Sequence, residues 1–184
     1  MRDAIIIDID DCWMDSRKWI AEAPYPSKKE EDWNEFYKKV YVCKPNKRFI
    51  QDVLGLVEEM NLFPVFITSR SDRVKLSTIF QIENNSSLKV GDTCALYMRT
   101  KEHKYMKSGE VKDSILNEIK GTYNFIYGID DTQENLEVFK KYGVETVIRY
   151  SIATHDYERV WMKGFLKLET PFFIEYKYIQ NKLY

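Results

Sequence analysis

Ala4-Ile5-Ile6-Ile7 runs without a polar break into three carboxylates, Asp8, Asp10 and Asp11. A short, β-branched, unbroken apolar run is the pattern of a strand buried on both faces, as in a parallel sheet covered by helices on each side. The same pattern recurs along the chain. Pro64 introduces Val65-Phe66-Ile67, which ends at Thr68-Ser69-Arg70, and a third strand over Cys94 to Met98 ends at Arg99. Phe125-Ile126-Tyr127 continues through Gly128 and Ile129 into Asp130 and Asp131, and Glu145 to Arg149 reads as a fifth strand. Helical periods fill the gaps between them. Asn46 can cap a helix carrying Phe49, Ile50, Val53, Leu54 and Val57. Ser108 or Gly109 starts another with Val111, Ile115, Leu116 and Ile119, and Thr132 starts one that Gly143 can close in a left-handed conformation.

Strands alternating with helices imply βαβ units. The fold class is therefore α/β, a three-layer Rossmann-like sandwich with a central parallel sheet. At 184 residues the chain reads as one domain, 1–184. The stretch from about 16 to 44 is polar with scattered aromatics and two prolines, Pro24 and Pro26, and reads as a small cap insert after the first strand. The extension from about 151 to 184, ending "TPFFIEYKYIQNKLY", leaves three roles open: an added strand, a lid or a subunit contact. Lys plus Arg (28) nearly balances Asp plus Glu (29), so a phosphorylated ligand has to be held by local charge rather than by a global field. Three scattered cysteines, Cys12, Cys43 and Cys94, argue against a disulfide framework or a zinc site and for a reducing compartment. There is neither a secretory signal nor an apolar run of membrane-spanning length, so the expected location is the cytoplasm.

In open parallel sheets, ligands bind beyond the carboxyl ends of the strands. Those ends carry Asp8 and Asp10, Thr68 and Arg70, Arg99, then Asp130 and Asp131, with Lys112 on the helix after the third strand. Two carboxylates about 4 Å apart repel by roughly 4 kcal/mol at an effective dielectric near 20. Four gathered acids need a compensating cation, and Mg²⁺ suits a site that keeps waters and meets a phosphate. Thr68, Arg70, Arg99 and Lys112 supply the donors and positive charge that a phosphoryl group takes.

These residues resemble a known family. "IIIDIDD", "FITSR", a downstream lysine and "IYGIDD" together resemble the four motifs of haloacid dehalogenase-superfamily phosphatases. Within that superfamily the likeness is to the phosphatase domain of polynucleotide kinase-phosphatases, carried by "TSRSD", "YMR", "VKDSIL" and "DDTQENLEVFKKYGVETV". The resemblance implies a Mg²⁺-dependent phosphatase with Asp8 as nucleophile and Asp10 as general acid and base. It implies that Asp8, the Asp10 carbonyl and Asp130 hold the metal with Asp131 in support. Thr68 and Lys112 would bind the transferring phosphoryl group, and Arg70 and Arg99 would grip phosphate. The implied substrate is a nucleic-acid or nucleotide phosphate, foremost a polynucleotide 3′-phosphate.

The chain departs from the family's first motif in having Asp11 and Cys12 where Gly and Thr are usual. It also lacks a G-x-x-x-x-G-K-[ST] loop, so no kinase half is expected with it. Two other readings stay open: a 5′-nucleotidase acting on free nucleoside monophosphates, and a non-catalytic domain that binds phosphorylated ends. Arg70 and Arg99 can alternatively pair with nearby acids. Trp19, Trp33, Phe36 and Tyr37 read as cap packing rather than a base-stacking platform, and Lys101, Lys104 and Lys107 as a solvated loop at the site's mouth. His103 and His155 have no ligand-like neighbours in the sequence.

Overall fold

The structure is a computed structural model that describes residues 1–162 apart from Pro26 and Lys28. β1 (Arg2–Ile7) alternates its side chains between two separate apolar clusters: Ile5 and Ile7 enter one, Ala4 and Ile6 the other. All four are fully buried, as the unbroken run requires.

After β1 the chain turns tightly at Asp11 and reaches β2 (Met14–Asp15), then the insert with α1 (Arg17–Ala21) and α2 (Glu30–Lys38). The insert closes at its base where β3 (Lys44–Pro45) pairs antiparallel with β2. α3 (Lys47–Glu59) follows, its start capped as anticipated by the Asn46 side chain, which accepts from the Phe49 amide at 3.4 Å. β4 (Phe63–Ser71) is longer than the sequence pattern suggested and carries the Thr68-Ser69-Arg70 segment within the strand. α4 (Lys75–Glu83), β5 (Ala95–Arg99), α5 (Ser108–Ile119), β6 (Tyr123–Asp130) and α6 (Gln133–Lys141) come next. Gly128 sits in β6 where a Cβ would lie 2.8 Å from the Phe139 ring, so only glycine lets α6 pack this closely. Gly143, at φ 74°, ends α6 in the left-handed region. β7 (Thr146–Ser151) and β8 (Asp156–Met162) complete the described chain.

The sheet order is β5-β4-β1-β6-β7-β8, parallel except for β8, which lies antiparallel on β7. One face packs on α3 and α4 through Phe49, Ile50, Val53, Leu56 and Ile82. The other packs on α5 and α6 through Val111, Ile115, Leu116, Leu136 and Phe139. This is the expected three-layer α/β sandwich. The start of the C-terminal extension is an added edge strand; "TPFFIEYKYIQNKLY" lies outside the described residues. No helix among the described residues is long and apolar enough to cross a membrane.

Candidate functional site

β4, β1 and β6 are neighbours in the sheet, so their carboxyl ends bring Thr68, Arg70, Asp8, Asp130 and Asp131 to one place. Asp8 stands one residue past β1 and is tied to β6 by its amide, which donates to the Ile129 carbonyl at 3.1 Å. Lys112 reaches the same point from the first half of α5. Its ammonium, fully buried, donates to Asp8 Oδ1 and, at 2.5 Å, to Asp130 Oδ2. Burial works against the lysine's charge, but Asp130 and Asp8 outweigh it and hold its proton above the ordinary lysine range.

One ammonium shared by two carboxylates leaves negative charge over. Burial pushes the Asp8 carboxyl well above the usual range; Lys112 pulls it back, and Asp130, Asp131 and Asp10 push it up again. Asp131 is pushed up to about 7, by burial first and then by Asp130. Asp11 is raised as well, by burial first and then by Asp10 and Asp15, against the Ser16 amide and Arg17, which lower it.

The two adjacent aspartates are bonded differently. Asp130 has both oxygens occupied: Oδ2 by Lys112, and Oδ1 by the Thr132 amide and hydroxyl, each at 3.0 Å, and by Asn135 Nδ2 at 2.9 Å. Thr132 therefore spends its hydroxyl on Asp130, not on capping α6. Asp131, half-buried, is the one grouped with Asp8: their oxygens and the Cys12 sulfur all lie within 4.8 Å of one another. The carboxylates fit a hard divalent cation. Burial raises the Cys12 thiol well above its usual range, which keeps it a neutral neighbour rather than a thiolate ligand. The Asp10 carbonyl accepts no hydrogen bond among the described residues.

Asp11 stands at φ 59°, in the left-handed region where glycine is usual. An aspartate tolerates it there because its side chain can bond locally. Oδ1 accepts from the Ser16 amide at 3.0 Å, and the Asp11 amide donates to the Met14 carbonyl at 2.8 Å. The Asn46 side chain braces the same loop by donating to the Cys12 carbonyl at 2.9 Å and to Tyr150 Oη at 2.7 Å, and Tyr150 Oη meets His155 Nδ1 at 2.8 Å.

The arginines also diverge. Arg70 is buried and bonded through all three guanidinium nitrogens to protein groups, with Asp10 as its ion-pair partner. The pairing that was the alternative reading for Arg70 is what the structure contains. Arg99, half-buried, donates to the carbonyls of Ser69 (2.9 Å), His103 (2.7 Å) and Met106 (2.7 Å), and no acid pairs with it among the described residues. Thr68, buried at the end of β4, accepts from the Arg70 amide at 3.2 Å. His103 pins the basic loop, its Nδ1 accepting from the Thr100 amide at 3.1 Å and its Nε2 meeting Ser114 Oγ at 3.1 Å.

A cleft of about 740 Å³ opens over these groups. Asp8, Asp10 and Asp131 line its floor. Tyr25, Trp33 and Tyr37 of the insert form one wall, and Arg99, Lys101, Lys104 and Lys107 the other. Sequence reasoning missed Ser16, Thr78, Gln81 and Asn135 as partners of the charged groups. Only Asn135 and Thr132 had a local signal, since hydroxyl and amide residues soon after an aspartate commonly bond back to it. Comparison with known proteins supplies no relative: no family model, curated protein or solved structure matches the chain.

Proposed function

We propose that the chain is a Mg²⁺-dependent phosphomonoesterase that works through an aspartyl-phosphate on Asp8, with a nucleic-acid 3′-phosphate end as its substrate. The observation that carries this reading is the state of Asp8. Its Oδ1 is fixed by Lys112, its Oδ2 accepts no hydrogen bond among the described residues, and it lines a cleft beside Asp131. A buried carboxylate oriented by one oxygen and open at the other is what an in-line attack on phosphorus requires.

Asp8 Oδ2 attacks phosphorus as the bond to the leaving alcohol oxygen breaks, and Asp10 gives that oxygen a proton. Water then attacks the phosphorus of the aspartyl-phosphate, Asp10 takes the water's proton, and Asp8 departs as carboxylate. Inorganic phosphate and the free alcohol are the products. Asp8, Asp131 and the Asp10 carbonyl are the groups that would hold Mg²⁺; when bound, it offsets the charge of the phosphoryl oxygens and orients them. Asp130 acts through Lys112, fixing the ammonium between itself and the nucleophile. Arg99, which lines the cleft, is a donor for a substrate phosphate, whereas Thr68 is fully buried and does not line it.

The choice of a chain end rests on the cleft walls. A volume of about 740 Å³ exceeds what one phosphate fills, and both aromatic residues and cations line it. A second reading, hydrolysis of free 5′-nucleotides, is favoured by the net charge of −1, since tight polymer binding usually draws on a basic surface. Three free cysteines, all buried, accord with a reducing cytoplasm as the place of work.

Release of phosphate from a 3′-phosphorylated oligonucleotide, set against a panel of deoxynucleoside monophosphates with Mg²⁺, tests the proposal. Turnover of the oligonucleotide, abolished by Asp8→Asn with binding retained, is expected. Activity on monomers alone moves the protein to the nucleotidase reading. Silence on every phosphorylated substrate, with oligonucleotide ends still bound, makes it a binder.

A further inference from the structure

We propose that Arg70 is a positioning residue for Asp10, fixing which carboxylate oxygen handles the proton, and that it links this chemistry to the seating of the insert. The inference rests on the reading of Asp10 as the acid and base of a phosphatase. It departs from the expectation that Arg70 holds the substrate's phosphate.

Arg70's nitrogens are divided among four partners. Nε donates to Asp10 Oδ1 at 2.9 Å and Oδ2 at 3.0 Å, and Nη2 donates to Asp10 Oδ1 at 2.6 Å and to Ser16 Oγ at 3.1 Å. Nη1 donates to Gln81 Oε1 at 2.6 Å and to Thr78 Oγ1 at 3.4 Å. The side chain is 1% exposed, so gripping a phosphate would mean abandoning a buried ion pair.

The donors are not shared evenly between Asp10's oxygens. Oδ1 also accepts from Ser16 Oγ at 2.5 Å, giving it three donors, whereas Oδ2 receives only the longer arm of Nε. Asp10's side chain keeps 19% of its surface and lines the cleft. The arrangement makes Oδ2 the atom that gives a proton to the leaving oxygen and takes one from water. The proton moves between Oδ2 and those oxygens; Arg70 stays charged throughout.

The insert reaches the same guanidinium directly through Ser16 and Trp19, and indirectly through Gln81 of α4. Trp19 of α1 lies with its ring 5.3 Å from Arg70 Cζ, and it is stacked on Phe36 of α2 at 4.5 Å. Gln81, which accepts from Nη1, donates through Nε2 to the Val40 carbonyl at 3.0 Å. Displacing the insert therefore loosens Arg70, and through it Asp10.

The test uses the full chain with Mg²⁺ and two substrates whose leaving groups differ. A 3′-phosphorylated oligonucleotide leaves as an alkoxide and needs a proton; p-nitrophenyl phosphate leaves as a stable phenolate and does not. Arg70→Met is expected to lower kcat on the oligonucleotide by about 100-fold, with KM held within about threefold. On p-nitrophenyl phosphate the first turnover survives and the second stalls, because water attack still needs Asp10. A burst of one nitrophenolate per enzyme, followed by a slow steady state, is the signature. Arg70→Lys, which keeps the charge but loses the fork, should recover part of the loss. Should Arg70→Met melt, Trp19→Leu leaves the arginine in place and is expected to give the same pattern in weaker form. A rise in KM on both substrates without a burst, together with weaker inhibition by inorganic phosphate, would make Arg70 a phosphate grip and overturn the inference. A parent protein that turns over neither substrate sinks the phosphatase reading itself, and this inference with it.

Discussion

The floor and the walls of the cleft are built on different principles. At and beneath the floor, Asp8, Arg70, Lys112 and Asp130 are at most 4% exposed, and each is bonded to charged or polar groups from other elements. On the walls, Tyr25 is 78% exposed and Tyr105 is 85% exposed, and the lysines between Lys101 and Lys107 all face solvent. Burying charges is costly unless each has partners, so the floor is held in one geometry by the rest of the fold. The walls carry no such obligation. Floor residues should therefore couple activity to stability, and wall residues should change recognition alone.

Lys112→Met puts the largest strain on that distinction. It removes the cation shared by two buried carboxylates, a loss of the kind that costs about 3–5 kcal/mol. In a chain of this size that lowers Tm by roughly 10 °C, readable by circular dichroism, and it should abolish turnover as well. A variant that melts with the parent would show that the floor is not held by its ion pairs.

The adjacent acids Asp130 and Asp131 sharpen the comparison further. On the proposed reading, saturating Mg²⁺, at 100 times its dissociation constant, should stabilise the native state by about 2.7 kcal/mol, an upward Tm shift of roughly 5–10 °C. Asp131→Asn should erase that shift while leaving the metal-free protein no less stable, because the carboxyl it removes is repelled by Asp130. Asp130→Asn should do the reverse, lowering the metal-free Tm by weakening the hold on Lys112 and Thr132. If both variants keep the shift, the metal is held by other groups.

How much of this was legible beforehand follows from how local each cause is. The Ile5 to Ile7 run, the Asn46 cap and the glycine at 143 are decided within a few residues, and the structure keeps all three. The convergence of Asp8, Lys112 and Asp130 was legible one step further out, because parallel strands place their carboxyl ends together whatever the loops between them do. The different bonding of Asp130 and Asp131 was not. It depends on which of two consecutive residues turns toward Lys112, and that is set by packing of α5 and α6 rather than by order in the chain. Arg70's partners lie even further from local pattern: Asp10 is separated from it by sixty positions and Ser16 by fifty-four. Asp11 shows the converse. The resemblance marked Asp11 as standing where glycine is usual, and the carboxylate–Ser16 bond that makes it tolerable appears only in three dimensions.

The smallest effect belongs to the walls. Lys101, Lys104 and Lys107 are exposed, line the cleft, and make no ion pair with an acid among the described residues. Removing their charge should leave Tm unchanged, since nothing in the fold depends on it. If they meet substrate phosphates beyond the scissile one, each contact releases bound counterions, so binding of a 3′-phosphorylated oligonucleotide weakens as salt rises. For a single strand the log–log slope carries about 0.7 per phosphate contacted. Lys104→Ala should therefore flatten the salt dependence of KM by about that amount, raise KM several-fold at low salt, and leave p-nitrophenyl phosphate untouched, because that substrate has no second phosphate to hold. An identical effect on both substrates would place Lys104 in the service of the floor and erase the contrast, whereas a flattened slope with unchanged kcat assigns this wall to the nucleic-acid backbone.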